Sequence, residues 1–349
     1  MMIGMPFRRR ATIALSSILC LCFVWIAPVA LAQPLPAQPP TFTDLCLQRS
    51  SLFAETKHTI DVLLQQAQTS SCLQANQTLS RLTTLELTDR HLVDLSPLRS
   101  FTRLTVLRLD QNQIVDLSPL STLTNLTALY LSENRVRDLS PLRSLTNLTA
   151  LFLIKNRVTN LEPLQPLTDL SDLFLIGNRI DDISPLRSLT SLTILLLSDN
   201  RIDDLSPLEP LRYLVILGLR RNRVSDLKPL RELTRLIELN LGENDITDLE
   251  ALRSFTNLSE LNLSDNQIDD LSPLQPLRQL TQLNLRRNDV TDLKPLSSLN
   301  KLQELNLEDN RLTDVSVLRS LTKLKKLALA KNAIAQPLCP IEPESICHF

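Results

Sequence analysis

From Leu82 onward the apolar and polar positions follow one pattern, LxxLxLxxNx(I/V/L)xDLxPLxxLTx. Asparagine marks it at 112, 134, 156, 178, 200, 222, 244, 266, 288, 310 and 332, always at an interval of 22 residues and without insertion. A first unit begins at Leu82 with Arg90 in the asparagine place, which makes twelve units. One of them reads Leu126, Leu129, Leu131, Asn134, Val136, Leu139, Pro141, Leu142 and Leu145. Within each unit the alternating leucines share one face of a short predicted strand, and the residues between them point outward. The asparagine turns the chain, and its amide can serve buried backbone groups of neighbouring units.

The following Asp-Leu-Ser-Pro-Leu, as at Asp138 to Leu142, predicts a short helical or 3₁₀ turn. Ser140 is expected as its N-cap and Pro141 as its first helical residue. Proline holds this place in nine units, and Ala251 and Val317 replace it in two. No unit can bury its own leucines, so the units must stack, and the two ends of the stack need covers.

These residues resemble the 22-residue, internalin-like class of leucine-rich repeats, over Leu82 to Ile334. They are also similar to repeats of an intracellular phosphatase regulator, a role that conflicts with the export signal and paired cysteines described below. The resemblance implies an α/β repeat fold. It is a curved leucine-rich-repeat solenoid, with a parallel sheet on the concave face, short 3₁₀ or helical turns on the convex face, and a helical N-terminal cap. Twelve strands about 4.8 Å apart would span roughly 50 Å.

The N-terminus reads as an address. Arg8 to Arg10 form a basic n-region, Ala11 to Ala27 are largely apolar, and Ala30-Leu31-Ala32 offers a cleavage site. Residues 1–32 are therefore expected to be a secretory signal peptide. Gln33 to Thr41, with four prolines and no charge, reads as an extended spacer. Residues 42–80 are expected as a helical cap, 81–334 as the repeats and 335–349 as a C-terminal cap. An uncleaved membrane anchor is the alternative for the first segment; after cleavage no membrane insertion is expected.

Two of the six cysteines lie in the signal segment. The remaining four pair by position, Cys46 with Cys72 and Cys339 with Cys347, because the two pairs belong to opposite ends of the stack. Export to an oxidising compartment favours both bridges. Between the first pair a helix is expected over roughly 51–67, with Phe53, Ile60, Leu63, Leu64 and Ala67 as its apolar stripe. It should cover the open leucine core, with His58 as a solvated or cap-stabilising residue. The stretch CPIEPESIC closes the other end without a helix. Both caps are similar to those of secreted cyanobacterial repeat proteins.

Composition narrows the chemistry. Leucine accounts for 81 of 349 residues, while glycine appears four times, so no Gly-rich phosphate loop is available. Three histidines (His58, His91, His348) without a metal-binding spacing argue against a metal site, and no cofactor is expected. Lys+Arg is 37 against 38 Asp+Glu, with no run of one sign, so a nucleic-acid partner is not expected. Nothing pairs a nucleophile with a base, and the chain reads as non-enzymatic.

Function must then lie on the outward positions of the strands. Counting each unit from its first leucine, positions 3, 5, 7 and 8 should face the concavity. In the units from Leu148 to Leu214 these include Ala150, Phe152, Ile154, Phe174, Ile176, Ile194, Leu196 and Ile216. In the next four units none of the corresponding residues is apolar, and position 5 reads Asn240, Asn262, Asn284, Asn306. Tyr130, Phe152, Phe174 and Leu196 stand side by side in that same column, forming one apolar surface. Internalin-like proteins bind partners through concave aromatics, which the resemblance extends to Tyr130, Phe152 and Phe174.

Gly177, Gly218 and Gly242 are also expected on the concave side, opening a shallow pocket between Ile176 and Asn240. Charges such as Arg220, Arg221 and Arg287 read as solvated lateral pairs. The expectation is a monomeric, secreted or periplasmic (cell-envelope) module that binds a protein or peptide. The alternative is a glycan-binding, adhesive surface protein without catalysis.

Overall fold

The computed structural model describes residues 39–335 and 339–348. The expected signal peptide and most of the proline-rich spacer lie outside the described residues. Residues Pro40–Phe349 form one unit, built on a parallel sheet of 13 strands in chain order. Strand β1 is Thr84–Glu86, and strands of three residues follow at every repeat up to β12, Lys326–Ala328. Registers hold the repeat period: Leu129 faces Leu151 and Leu151 faces Leu173. The sheet is open and curved, and a 3₁₀ turn stands opposite each strand.

The core follows from the leucine spacing. In the repeat that starts at Leu148, the buried side chains are Leu148, Leu151, Leu153, Val158, Leu161, Leu164 and Leu167. Phe101 and Phe255 replace leucine at the last of these places and are equally buried. Parallel strands covered by turns bury their leucines in one continuous column, which is where stability must reside.

The asparagines form a second, polar column inside the first. Asn178 Nδ2 donates to the carbonyls of Leu153 and Leu175, both at 2.9 Å, and its Oδ1 accepts the Val158 N–H at 3.0 Å. Each asparagine thus ties its own repeat to the preceding one. Arg90 can stand in the first repeat because no earlier strand offers carbonyls there, and its own N–H is met by Asn112 Oδ1 at 3.1 Å.

The convex turns differ from expectation in one detail. Ser140 is the first residue of the 3₁₀ turn Ser140–Ser144, and Leu139 is its N-cap, with no side-chain cap bond. The capping side chain is instead Asp138, whose Oδ1 accepts the Ser140 N–H at 2.8 Å. An Asx-type bond to the residue two places on is what a short aspartate does best here. Bonds from the serine hydroxyl and N–H hold the Asp138 carboxyl below its ordinary value.

Three helices precede β1: α1 (Phe42–Leu47), α2 (Ala54–Gln66) and α3 (Cys72–Leu79). Only α2 matches the expected helix, and it starts later. Phe53 is its N-cap and is 84% exposed, so it does not belong to the apolar stripe. A residue before the first turn is not bound to the helical period. Ile60, Leu63 and Leu64 are buried as expected. Short α1 is held by a capping box between Thr41 and Asp44, and it buries Phe42 against Phe101, with ring centroids 5.5 Å apart.

The cap is fastened to the first repeat. Thr56 Oγ1 donates to Asp94 at 2.6 Å and Thr59 Oγ1 to the Asp94 carbonyl at 2.7 Å. His58 Nε2 bonds the Arg90 carbonyl oxygen at 2.6 Å, satisfying a group the asparagine column does not reach. Cys46 is joined to Cys72, and Cys339 to Cys347. The C-terminal stretch adds a strand that the leucine pattern does not announce: β13, Cys347–His348, pairs with β12.

Candidate functional site

The turn after each strand fixes how the outward residues are presented. Position 8 has a left-handed φ in every repeat, for example Glu133 at 57°, Lys155 at 52° and Arg221 at 54°. Non-glycine residues tolerate this because the backbone there is fully bonded: Glu133 N–H donates to the Ile154 carbonyl at 2.7 Å. Gly177, with φ 70°, occupies the same conformation. It relieves strain rather than opening space.

The other two glycines correct the expected pocket in the same way. A Cβ on Gly218 would lie 2.9 Å from Leu196 Cδ2, and one on Gly242 would lie 2.9 Å from Ser264 Oγ. Neighbouring side chains already lean into the places where a side chain is missing. A groove does pass between Ile176 and Asn240, but the glycines are not what opens it.

Position 5 carries the aromatic column. Tyr130 faces Phe152, and Phe152 faces Phe174, across strands β3 (Ala128–Tyr130), β4 (Ala150–Phe152) and β5 (Asp172–Phe174). Their rings stack, with centroids 4.3 and 4.4 Å apart and planes within 8° and 17° of parallel. The Arg108 guanidinium lies 4.0 Å above the outer face of Tyr130. Leu196 is next in register, followed by buried Gly218. The column is therefore half-buried in itself, and ring edges rather than faces point into the concavity.

Ala150, Ile194 and Ile216 begin their strands, and Ile154 and Ile176 lie two residues beyond theirs; all five are half-buried. A groove of about 650 Å³ gathers Phe174, Ile176, Ile194, Leu196, Ile216 and Gly218. It does not include Tyr130, Ala150, Phe152 or Ile154. Instead it runs toward the C-terminus past Glu238, Asn240, Glu260 and Asn262 as far as Glu304 and Ala328.

The apolar pattern alone does not announce this polar half. Position 3 places Glu238 directly beside Glu260, with Gln282 and Glu304 following in register. The sequence signal for it is glutamate at 22-residue spacing, at 238, 260 and, past Gln282, 304, although a charge on an outward position alone reads as solvated. Burial, together with Glu238 and Glu304, pushes the Glu260 carboxyl above its ordinary value. The neighbouring amides are partly committed: Asn240 Oδ1 accepts from Gly242 N–H and Asn262 Nδ2, at 3.2 and 3.0 Å.

Along position 8 the charges pair laterally. Arg221 bridges Asp199 at 2.9 Å and Glu243 at 2.8 Å, while Arg220 also meets Glu243. Arg287 lies 3.1 Å from Asp265 and 3.4 Å from Asp309. Hydrogen bonds from Arg221 hold Glu243 below its ordinary value. These pairs are solvent-exposed and settle the rim, each contributing little.

Comparisons agree with this geometry. The family model described as leucine-rich repeats (2 copies) matches residues 102–144, 124–166, 234–276 and 278–320. No curated protein matches. Among solved structures, an internalin (InlF) from Listeria monocytogenes is 30% identical, with TM-score 0.73, over 84% of this chain and 94% of that one. The functional domain of InlJ from the same organism, which includes a cysteine ladder, is 29% identical with TM-score 0.68, over 75% of this chain and 56% of that one. A leucine-rich-repeat protein of Leptospira interrogans is 25% identical with TM-score 0.63, over 79% and 85%. With its period, its asparagine column and this likeness to a chain it spans almost end to end, the protein belongs to the leucine-rich-repeat family.

Proposed function

We propose that the protein is an exported, non-catalytic module that holds a protein or peptide partner in the concave face of its central repeats. The observation that carries this is the groove whose apolar wall, from Phe174 to Ile216, continues into an acidic and amide wall. Pre-formed apolar surface beside a few oriented polar groups is what partner recognition uses. The relation to internalins and the two disulfides support export to an oxidising place, secreted or periplasmic. Among the described residues no helix is long and apolar enough to cross a membrane.

The stacking geometry favours a polypeptide over a glycan. Sugars lie on free ring faces, yet both faces of Phe152 are covered by its neighbours and the outer face of Tyr130 by Arg108. Ring edges suit the aliphatic and aromatic side chains of a protein partner.

The test is cross-linked capture from envelope extracts with the wild-type chain and with Phe152→Asp/Phe174→Asp. The variant forfeits two stacked pairs, about 1–3 kcal/mol, and leaves the leucine core intact, so it stays folded. A partner retained by wild type should be lost by the variant. Equal capture by both, or a glycan-array signal that the variant does not alter, would refute the proposal.

A further inference from the structure

The apolar part of the concave surface does not end at the groove. It crosses the sheet obliquely and leaves it over one edge. Ile154 and Ile176 lie beyond the strand ends, and Phe174 and Leu196 close their strands. Ile194 and Ile216 open theirs. One residue earlier come Val215 and Ile237, where most other repeats carry a threonine or serine. Ile237 is 43% exposed, and Tyr213, on the same edge, is 56% exposed with the Arg235 guanidinium 5.0 Å from its ring. Four strand intervals and five residue positions separate Ile154 from Ile237, a path of roughly 25 Å.

One flank of this path is acidic. Glu238 and Glu260 lie against its C-terminal side, followed by Glu304, which has Lys326 as its next neighbour in register. Among the described residues none of the three glutamates is in an ion pair. The other flank is nearly neutral, with Ala128, Ala150 and a single carboxylate at Asp172. A visitor that follows the path thus meets the adjacent carboxylates Glu238 and Glu260 on one side and Asp172 alone on the other.

The sheet also limits the visitor's conformation. Every strand beneath the path is paired on both sides, so no free backbone edge is offered for an added strand. A polypeptide lying on this face must satisfy most of its own backbone hydrogen bonds, which a helix does. A helix of about 17 residues is roughly 25 Å long, the length of the path.

We infer that the groove and its edge receive a cationic amphipathic helix, its apolar face on the path from Ile154 to Ile237, beside Tyr213, and its lysines or arginines toward Glu238 and Glu260. The inference rests on the concave-face reading above and adds the direction and chemistry of the occupant. Like-charge crowding at Glu260 is relieved when such a cation arrives.

The test uses three labelled 18-residue peptides, titrated against the chain by fluorescence anisotropy. The first is built of leucine and lysine with leucines at helical spacing, the second has glutamate for every lysine, and the third has a central proline in the lysine peptide. Expected is binding of the first, at least tenfold weaker binding of the other two, and at least fivefold weakening by Glu238→Gln/Glu260→Gln and by Tyr213→Ser/Ile237→Ser. These four side chains are on the surface, and circular dichroism checks that the variants fold. Equal affinity for the glutamate or proline peptide, no binding of the lysine peptide, or indifference to either double variant overturns the inference. Loss of binding in Phe152→Asp/Phe174→Asp but not in Tyr213→Ser/Ile237→Ser overturns the oblique path alone and leaves the concave-face reading standing. Capture from envelope extracts that is unchanged by Phe152→Asp/Phe174→Asp overturns both.

Discussion

Replacing Asn178 by alanine should expose how the solenoid holds together. The side chain is buried and serves three backbone groups of two repeats: the Val158 N–H and the carbonyls of Leu153 and Leu175. Deletion leaves the Val158 N–H and the Leu153 carbonyl without a side-chain partner, whereas the Leu175 carbonyl keeps Asn200 Nδ2 at 3.0 Å. A buried unsatisfied group costs about 1–3 kcal/mol, and the carbonyl falls at the low end, so the sum over the two is roughly 3 kcal/mol. For a unit of this size, that corresponds to a fall in Tm of roughly 5 °C. Thermal unfolding by circular dichroism measures the total, and hydrogen exchange should place the new opening at the amides around Val158. Asn178→Asp adds a sign that cavity effects lack. Its carboxylate would face two carbonyl oxygens, so its pKa in the folded state should rise above the unfolded value. The variant should then be less stable than Asn178→Ala at neutral pH. It should recover as pH falls through the folded pKa, where the acid gains a proton to donate. A cost below about 1 kcal/mol for the alanine variant, set against the range for buried unsatisfied groups, or an aspartate variant that does not recover in acid, would refute the bonding argument.

Two further outcomes follow from the ends and from the acidic column. Replacing Cys46 and Cys72 by serine releases a loop spanning 26 residues. It should cost about 3 kcal/mol, read as earlier exchange of the α1–α3 amides while the central repeats keep their protection. Glu260 has a raised folded pKa, so the native state favours its protonated form and loses that advantage as pH rises through the folded value. Glu260→Gln should therefore be at least as stable as wild type at neutral pH, with the difference vanishing below the unfolded pKa. A urea titration at two pH values checks this, and a variant less stable than wild type at neutral pH contradicts it.

The repeat was legible because its constraints are periodic and local. Leucines at fixed places and an asparagine every 22 residues leave one architecture that buries the first and bonds the second. What escaped was whatever the period does not encode. β13 has no leucine triplet, only Cys347 and His348 brought beside β12 by the chain's return. The helices α1 and α3 are short, and their signals were single side chains, Thr41 and Ser71, each accepting an N–H of the first turn. Phe53 looked like a helical stripe residue by spacing alone, but it precedes the helix. The aromatic column was visible in the sequence, since position 5 repeats across strands. Its self-stacking was not, because ring orientation depends on the strand separation and on Arg108 closing the end.

The regularity also bears on how a partner would be held. Leucine, asparagine, aspartate and proline fill the places of each repeat that carry structural duties, and on the strand side they leave positions 2, 3, 5, 7 and 8 free to vary. These lie on strands and on turns whose backbone is hydrogen-bonded to the next repeat, as in Leu131 N–H to the Phe152 carbonyl at 2.8 Å. With no insertion in eleven successive intervals, no loop within the repeats is long enough to move aside or close over a ligand. The concave surface proposed to bind is therefore already arranged before a partner would arrive, and little ordering cost would fall on this side of the complex. Affinity must then depend on how well the partner matches a fixed pattern of apolar and acidic places. A single charge introduced on the path should act mainly on the rate at which the complex comes apart.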